Sequence, residues 1–455
     1  MNLKFTIRFA IVLVFMLCCT WPTLQAKTIT LYVNKNVGAC SPRYAAKTFV
    51  NVKVNDIYAA SAALPLYITK KGDKPFRIPA IACTKEGKLL AFSDYRPCGS
   101  DIGYGEVDIQ LRTSVDNGKT WTAARTIANG TGKGIGTDCG FGDAAVVADC
   151  ESNEVLMLCV AGKTVYFNAN YLEGRPNQMV RFVSKDGGET WSQYENLTHQ
   201  VYGLFKNCKY GAIKSMFVGS GKLHQSRFIK VGSHYRIYAP ICARDNGNRV
   251  LFSDDFGKTW HVLGGVDALP ATAGDEPKCE ELPDGRVLLS ARTRGGRLYN
   301  IFTYTNKTTG EGVWDSVAKS DEHNHGVIAN NNSTNGEIMI LPVKRNSDNK
   351  QMFLALQSVP MGPNRSNVGI YYKALENITD YLTPAAFAQN WTGRLQVSHM
   401  GSAYSTMTWQ KDNKVAFFYE ESTYGADYTN VYCPLTIEEI TSQEFSYDAT
   451  ASISR

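Results

Sequence analysis

From Phe76 onward, apolar and polar residues alternate along most of the chain with a period of two, the mark of strands with one buried face. Val107-Asp108-Ile109-Gln110-Leu111-Arg112 and Met179-Val180-Arg181-Phe182-Val183 carry the pattern. Further strand-like runs are Lys88 to Phe92, Val155 to Leu158, Tyr235 to Tyr238, Val287 to Ser290 and Val415 to Tyr419. Helical candidates are confined to Asp56 to Ala63 and Leu435 to Phe445, and one early strand is expected over Thr28 to Val33. No low-complexity linker divides residues 71–440, which predicts a single all-β domain over 71–455. Residues 27–70 are too few for an independent domain and are expected to pack on the main body or to close its last sheet.

The turns between these strands repeat. Ser-x-Asp-x-Gly-x-Thr-Trp occurs at Ser114 to Trp121, Ser184 to Trp191 and Ser253 to Trp260, starting 70 and 69 residues apart. Asp116, Asp186 and Asp254 or Asp255 offer carboxylates to turn amides, the glycines permit positive φ, and each Trp is a large apolar plate to bury. Each octapeptide reads as a hairpin turn within a repeated supersecondary unit. A repeat of about 40–50 residues per four-stranded sheet is usual for propeller blades, and long loops stretch it. A degenerate copy fits near Thr303 to Trp314.

Composition adds the compartment. Lys4 and Arg8 precede an apolar run from Phe9 to Cys19, and Thr23-Leu24-Gln25-Ala26 supplies a small residue for cleavage. Residues 1–26 therefore read as a signal peptide, too short in its apolar part to span a bilayer, and the mature protein is expected to be secreted, periplasmic or cell-surface. The net charge of +6 is dispersed, which argues against nucleic acid. Ten of the twelve cysteines follow the signal and show no CxxC pair; in an exported protein some can pair. His323 and His325, two residues apart with no third ligand, read as loop residues, so no metal site is expected.

Arg77, in Phe76-Arg77-Ile78-Pro79-Ala80, begins an apolar strand, where a charge is costly unless it meets an anion. Arg297, in Gly295-Gly296-Arg297-Leu298-Tyr299, and Arg365, in Pro363-Asn364-Arg365-Ser366, are placed alike. Three guanidiniums converging on one axis would hold a carboxylate by charge-assisted, partly bidentate bonds. With the Phe-Arg-Ile-Pro segment and the repeated Asp boxes, about residues 71–425 resemble the exo-α-sialidases of the secreted microbial kind.

The resemblance implies a six-bladed β-propeller and assigns roles residue by residue. Arg77, Arg297 and Arg365 take the places of the carboxylate-binding arginines, with Arg292 and Arg294 standing close by as competitors for the second. Arg96 corresponds to an additional substrate-side arginine, and Asp101, in Ser100-Asp101-Ile102-Gly103, to the acid/base. Tyr404 matches the nucleophile, Glu281 the glutamate that partners it, with Glu280 adjacent, and Glu420 the carboxylate that braces Arg77. A sialoside carries a carboxylate on the carbon under attack, so a neutral phenol avoids the repulsion that a carboxylate nucleophile would meet. The phenol must then lose a proton to a neighbouring base. The implied activity is release of terminal α-linked sialic acid from glycoproteins, glycolipids or oligosaccharides, with retention and without a cofactor. The same site would serve a trans-sialidase or an intramolecular sialidase. A sialic-acid-binding lectin would be expected to lack Tyr404, Glu281 or Asp101.

Overall fold

The computed structural model describes residues 63–450 except Thr392. The expected signal peptide, the strand over 28–33 and all of the 56–63 helix candidate but Ala63 lie outside these residues. Six sheets follow one another, antiparallel except where Gly221–Lys222 runs parallel to Phe141–Ala148, so the described chain is a six-bladed β-propeller. Blade 1 is built from Phe76–Cys83, Leu89–Tyr95, Asp108–Ser114 and Arg125–Ala128. Blades 2 to 6 begin at Phe141, Met216, Pro277, Ile338 and Ser402. Blade 6 is closed from the other end of the chain: Leu64–Tyr67 pairs antiparallel with Thr429–Leu435 as its outermost strand. Tyr67 then reaches across the seam and donates its hydroxyl to Ala91 O of blade 1 at 2.8 Å. The ring is thus held shut by strand hydrogen bonds that join the two ends of the described chain, which leaves no free seam between first and last blades.

The Asp boxes link the third and outermost strands of blades 1 to 3. In the first, Asp116 accepts from Ser114 Oγ at 2.8 Å, Thr120 N at 2.9 Å and Thr120 Oγ1 at 2.6 Å, and Trp121 Nε1 donates to Gly118 O at 3.1 Å. In the third copy Asp255 takes this place, accepting from Ser253, while Asp254 pairs with Arg236 at 2.7 Å. The box glycines, at φ between +80° and +86°, each face the preceding blade. A Cβ there would lie 2.2 Å from Tyr432 for Gly118, 2.9 Å from Leu90 for Gly188 and 2.8 Å from Leu156 for Gly257. Blade 4 repeats the arrangement without the motif: Gly310 abuts Phe252 of blade 3, and Trp314 Nε1 donates to Leu263 O at 3.1 Å. The boxes are therefore blade-to-blade seals as well as turns.

The helix expected over 435–445 is one turn, Ile437–Ile440, capped by Thr436 and Glu439. Strand Phe445–Tyr447 follows it and pairs with Ile338–Arg345 of blade 5, because sheet pairing outweighs local helical pattern. Cys83, Cys98, Cys139, Cys150, Cys159, Cys208, Cys242 and Cys279 form no disulfide. Among the described residues no helix is long and apolar enough to cross a membrane.

The inner strands run in one direction along the channel, so their first residues crowd one mouth and their last residues the other. The far mouth opens into a cavity of about 580 Å³ lined by Cys83, Lys222, His224, Arg227, Glu280 and Trp409, among others. Glu280 lies 3.3 Å from Lys222 Nζ, 3.2 Å from His224 Nδ1 and 3.0 Å from Arg227 Nη2. Burial alone would raise its pKa, yet the neighbouring His224, Lys222 and Arg227 bring it down to about 2.

Two measurements test this architecture. Gly118→Ala places a side chain at left-handed φ and against Tyr432, and should lose ~2 kcal/mol or more in denaturant unfolding, while exposed Lys119→Ala stays within ~0.5 kcal/mol. Because the folded pKa of Glu280 is depressed, its contribution is full above the unfolded value near 4.5 and disappears as pH falls through about 2. Glu280→Gln should cost ~3 kcal/mol at neutral pH, with the gap to the parent closing between those two values.

Candidate active site

At the near mouth, three inner strands carry the same local feature. The pairing register slips between Arg77 and Ala80 in blade 1, between Gly142 and Ala145 in blade 2, and between Ser402 and Ser405 in blade 6. An extra residue at each point turns a polar side chain out of the strand alternation. Ile78 and Asp143 take left-handed φ of 56° and 57° there. Such strain is held only where the surroundings fix it.

Tyr404 is buried, and its hydroxyl donates to Glu276 Oε1 at 2.5 Å. Arg292 Nη1 donates to the same hydroxyl at 3.0 Å and to Glu276 Oε2 at 2.9 Å. Ser333 Oγ accepts from Arg292 Nε at 2.9 Å, with Asp275 on the same nitrogen at 3.3 Å. Burial and the adjacent Glu276 carboxylate push the phenol well above its usual value near 10, with Arg292 pulling the other way, so the resting phenol is neutral. The guanidiniums of Arg77 and Arg365 each lie 5.8 Å from the Tyr404 ring centre. Arg365 is held by its amide, which donates to Asn332 Oδ1 at 2.7 Å. Glu420, fully buried, accepts from Arg77 Nε at 2.7 Å, Ile78 N at 2.9 Å and Tyr404 N at 3.1 Å. Burial works against the charge on Arg77, but Glu420 holds its pKa above the ordinary value.

Beside Arg77, a second cluster is centred on Arg96, whose Nη2 lies 2.9 Å from Asp94, 3.1 Å from Asp101 and 3.8 Å from Asp143. The Asp101 side chain is 62% exposed, open to a leaving group or to water. Burial raises Asp94 to about 7 although Arg96 opposes it, and burial with the neighbouring Asp101 and Asp94 raises Asp143 well above the carboxylate range.

Arg77, Arg96, Asp101, Arg365, Tyr404 and Glu420 thus gather at one mouth. Two expected residues do not. Glu281 ends the strand Pro277–Glu281 whose beginning adjoins Tyr404, five residues or ~17 Å along. Its carboxylate accepts from Ser226 Oγ at 2.5 Å and Arg227 N at 2.7 Å at the far end of the channel. Glu276 holds the place beside the tyrosine. Pro277, fitted to the first position of a strand, marked where that strand starts. Arg297 stands opposite Arg292 across a hairpin but is fully buried, its fork committed to Ser290 and Thr334 O. Burial pulls it down to about 10, with Tyr299, Glu276 and Glu337 opposing but not ion-paired to it. Arg292 touches Tyr404 instead, while Arg294 turns outward to Asn331. Asp143 was also missed, since a bulge leaves no trace in the strand alternation.

The BNR repeat-like domain family matches residues 87–415. A sialidase of Micromonospora viridifaciens is 27% identical over 391 residues, covering 82% of this chain, which spans 55% of that protein's length. A sialidase of Paraclostridium sordellii is 26% identical over 359 residues, covering 76% of this chain and 81% of that protein. Among solved structures, the leech intramolecular trans-sialidase superposes with a TM-score of 0.65 at 16% identity, covering 89% of this chain and 74% of that one. The intramolecular trans-sialidase of Ruminococcus gnavus gives 0.62 at 17% identity, covering 86% and 99%. These structural likenesses reinforce the propeller, and the family match over most of its length establishes that the chain belongs to the BNR repeat-like domain family, with sialidases among its aligned relatives.

Proposed function

We propose that the protein is a retaining exo-α-sialidase whose nucleophile is Tyr404 and whose base is Glu276. The observation that carries this reading is the short Tyr404–Glu276 hydrogen bond beside Arg292, ringed by Arg77 and Arg365. In the reaction, the substrate carboxylate sits among Arg77, Arg292 and Arg365, whose forked donors suit a planar anion. Glu276 takes the phenolic proton as the oxygen attacks the anomeric carbon, and the arginines offset the charge passing through the site. Asp101, exposed at the mouth, protonates the departing glycosidic oxygen and then takes a proton from the water that releases the sugar. Two inversions at the same carbon give net retention. The substrate class is terminal α-linked sialic acid on glycoproteins, glycolipids or oligosaccharides, and the sialidase relatives support it.

Release of the aglycone from a fluorogenic aryl α-sialoside tests this directly. Tyr404→Phe should lose ~10³-fold or more in kcat, and Glu276→Gln ~10²-fold or more, while Glu281→Gln retains most of the parent's rate on folded protein. A Glu281→Gln collapse with an active Glu276→Gln would reverse the assignment. Identifying the released sugar as free or anhydro sialic acid separates hydrolysis from intramolecular transfer.

A further inference from the structure

We infer that Asp94, which makes no contact with substrate in the proposed reaction, is a positioning residue that aims the general acid Asp101 through Arg96. The inference rests on the sialidase reading and extends it to a side chain with no assigned part in it. Asp94 is fully buried and pairs across the strand with Arg77, directly beneath the mouth. One oxygen takes Arg96 Nη2 at 2.9 Å, and the carboxylate also accepts the amide of Asp143 at 3.0 and 3.3 Å. The same Arg96 nitrogen reaches Asp101 at 3.1 Å, so a single donor is shared between the buried acid and the exposed one. Arg96 is itself buried, and its Nε has no hydrogen-bond partner, so the acids around Nη2 set the orientation of its fork.

Asp101 gains no comparable restraint from its own loop. Its carboxylate accepts the next amide, Ile102 N, at 2.9 Å, and the side chain projects into solvent. Packing explains why the buried acid fits here. A Cβ on Gly142 would stand 2.8 Å from Asp94 Oδ2 and 2.9 Å from the Ile102 side chain, so only glycine lets blade 2 close on both. Asp94 therefore joins the strand that presents Arg77, the bulge that presents Asp143 and the loop that presents Asp101. Replacing its carboxylate leaves Arg96 free to swing toward Asp143 or solvent, and Asp101 loses the partner that fixes it against the leaving oxygen.

A general acid matters in proportion to the basicity of the leaving group, which gives a readout that loss of fold stability does not mimic. Turnover of sialyllactose, whose leaving alcohol needs a proton, is compared with turnover of a 4-nitrophenyl α-sialoside, whose phenolate leaves unaided. Asp94→Asn retains an acceptor for the Asp143 amide and should lose ~10²-fold in kcat/KM, which reports the step that expels the leaving group, on sialyllactose but less than about fivefold in kcat/KM on the aryl substrate. Asp94→Ser, which keeps a small hydroxyl acceptor but no charge, should give the same selective loss and carries the test if Asp94→Asn does not fold. Equal losses on the two substrates, or none on either, overturn the positioning role. A parent that turns over neither substrate overturns the sialidase reading instead.

Discussion

Everything at the near mouth depends on one buried carboxylate at the closure of the ring. Glu420 belongs to blade 6, yet it takes the fork of Arg77 and the amide of Ile78 from blade 1 as well as the amide of Tyr404 from its own blade. A fully buried carboxylate without partners is expensive, and with four donors it becomes an anchor. It fixes the arginine and the tyrosine in one frame at the seam where the chain's first and last sheets meet. It also sustains the left-handed backbone of Ile78, a β-branched residue that would not hold that conformation unaided. Ile78, Ala403, Tyr404 and Tyr428 form a small apolar wall there, so closure of the fold and assembly of the site are one event.

The channel applies the same rule along its length. Lys278 and Glu337 pair midway at 3.4 Å, Thr406 adds a bond to Glu337 at 2.9 Å, and Glu280 gathers Lys222, Arg227 and the His224 ring at the far mouth. These buried carboxylates are matched locally, and the near mouth differs in leaving arginine donors open. Arg297 shows the contrast: its donors are consumed by Ser290 and Thr334, so it supports the sheet and has none to offer a ligand. Arg292 is partly open, and its bonds end on the two groups that would exchange a proton.

The parts legible in the sequence were those carried by local chemistry. The Asp boxes specified turns because Asp, Gly and Trp act within eight residues, and alternation located the strands around them. Arg77, Asp101 and Tyr404, which lie at one mouth, stand in short motifs in loops and strand starts. Strand direction relative to the mouth was the missing fact. Glu276 and Glu281 differ by five positions along one strand, and only the packing of six inner strands tells which end faces Tyr404. Arg292 and Arg297 lie opposite each other in one hairpin, so no spacing argument separates them. The three bulges hide for the same reason, since an inserted residue looks like ordinary sequence until its partner strand is known.

The charge balance of the near mouth gives a physical reason for a phenol there. Arg77, Arg292 and Arg365 set three positive charges there, already met by Glu420 on Arg77 and by Glu276 and Asp275 on Arg292. On the proposed reading the substrate adds one more carboxylate, and a carboxylate at the position of Tyr404 would add a further buried anion with no cation left to meet it. A phenol whose pKa is held well above its usual value adds none at rest. Its charge develops only as the proton passes to Glu276, so the negative charge moves from phenolic oxygen to carboxylate within one hydrogen bond and the total stays constant. Arg292, bonded to both oxygens, remains in contact with the charge on either side of that transfer, which is the preorganisation that a low-dielectric site requires.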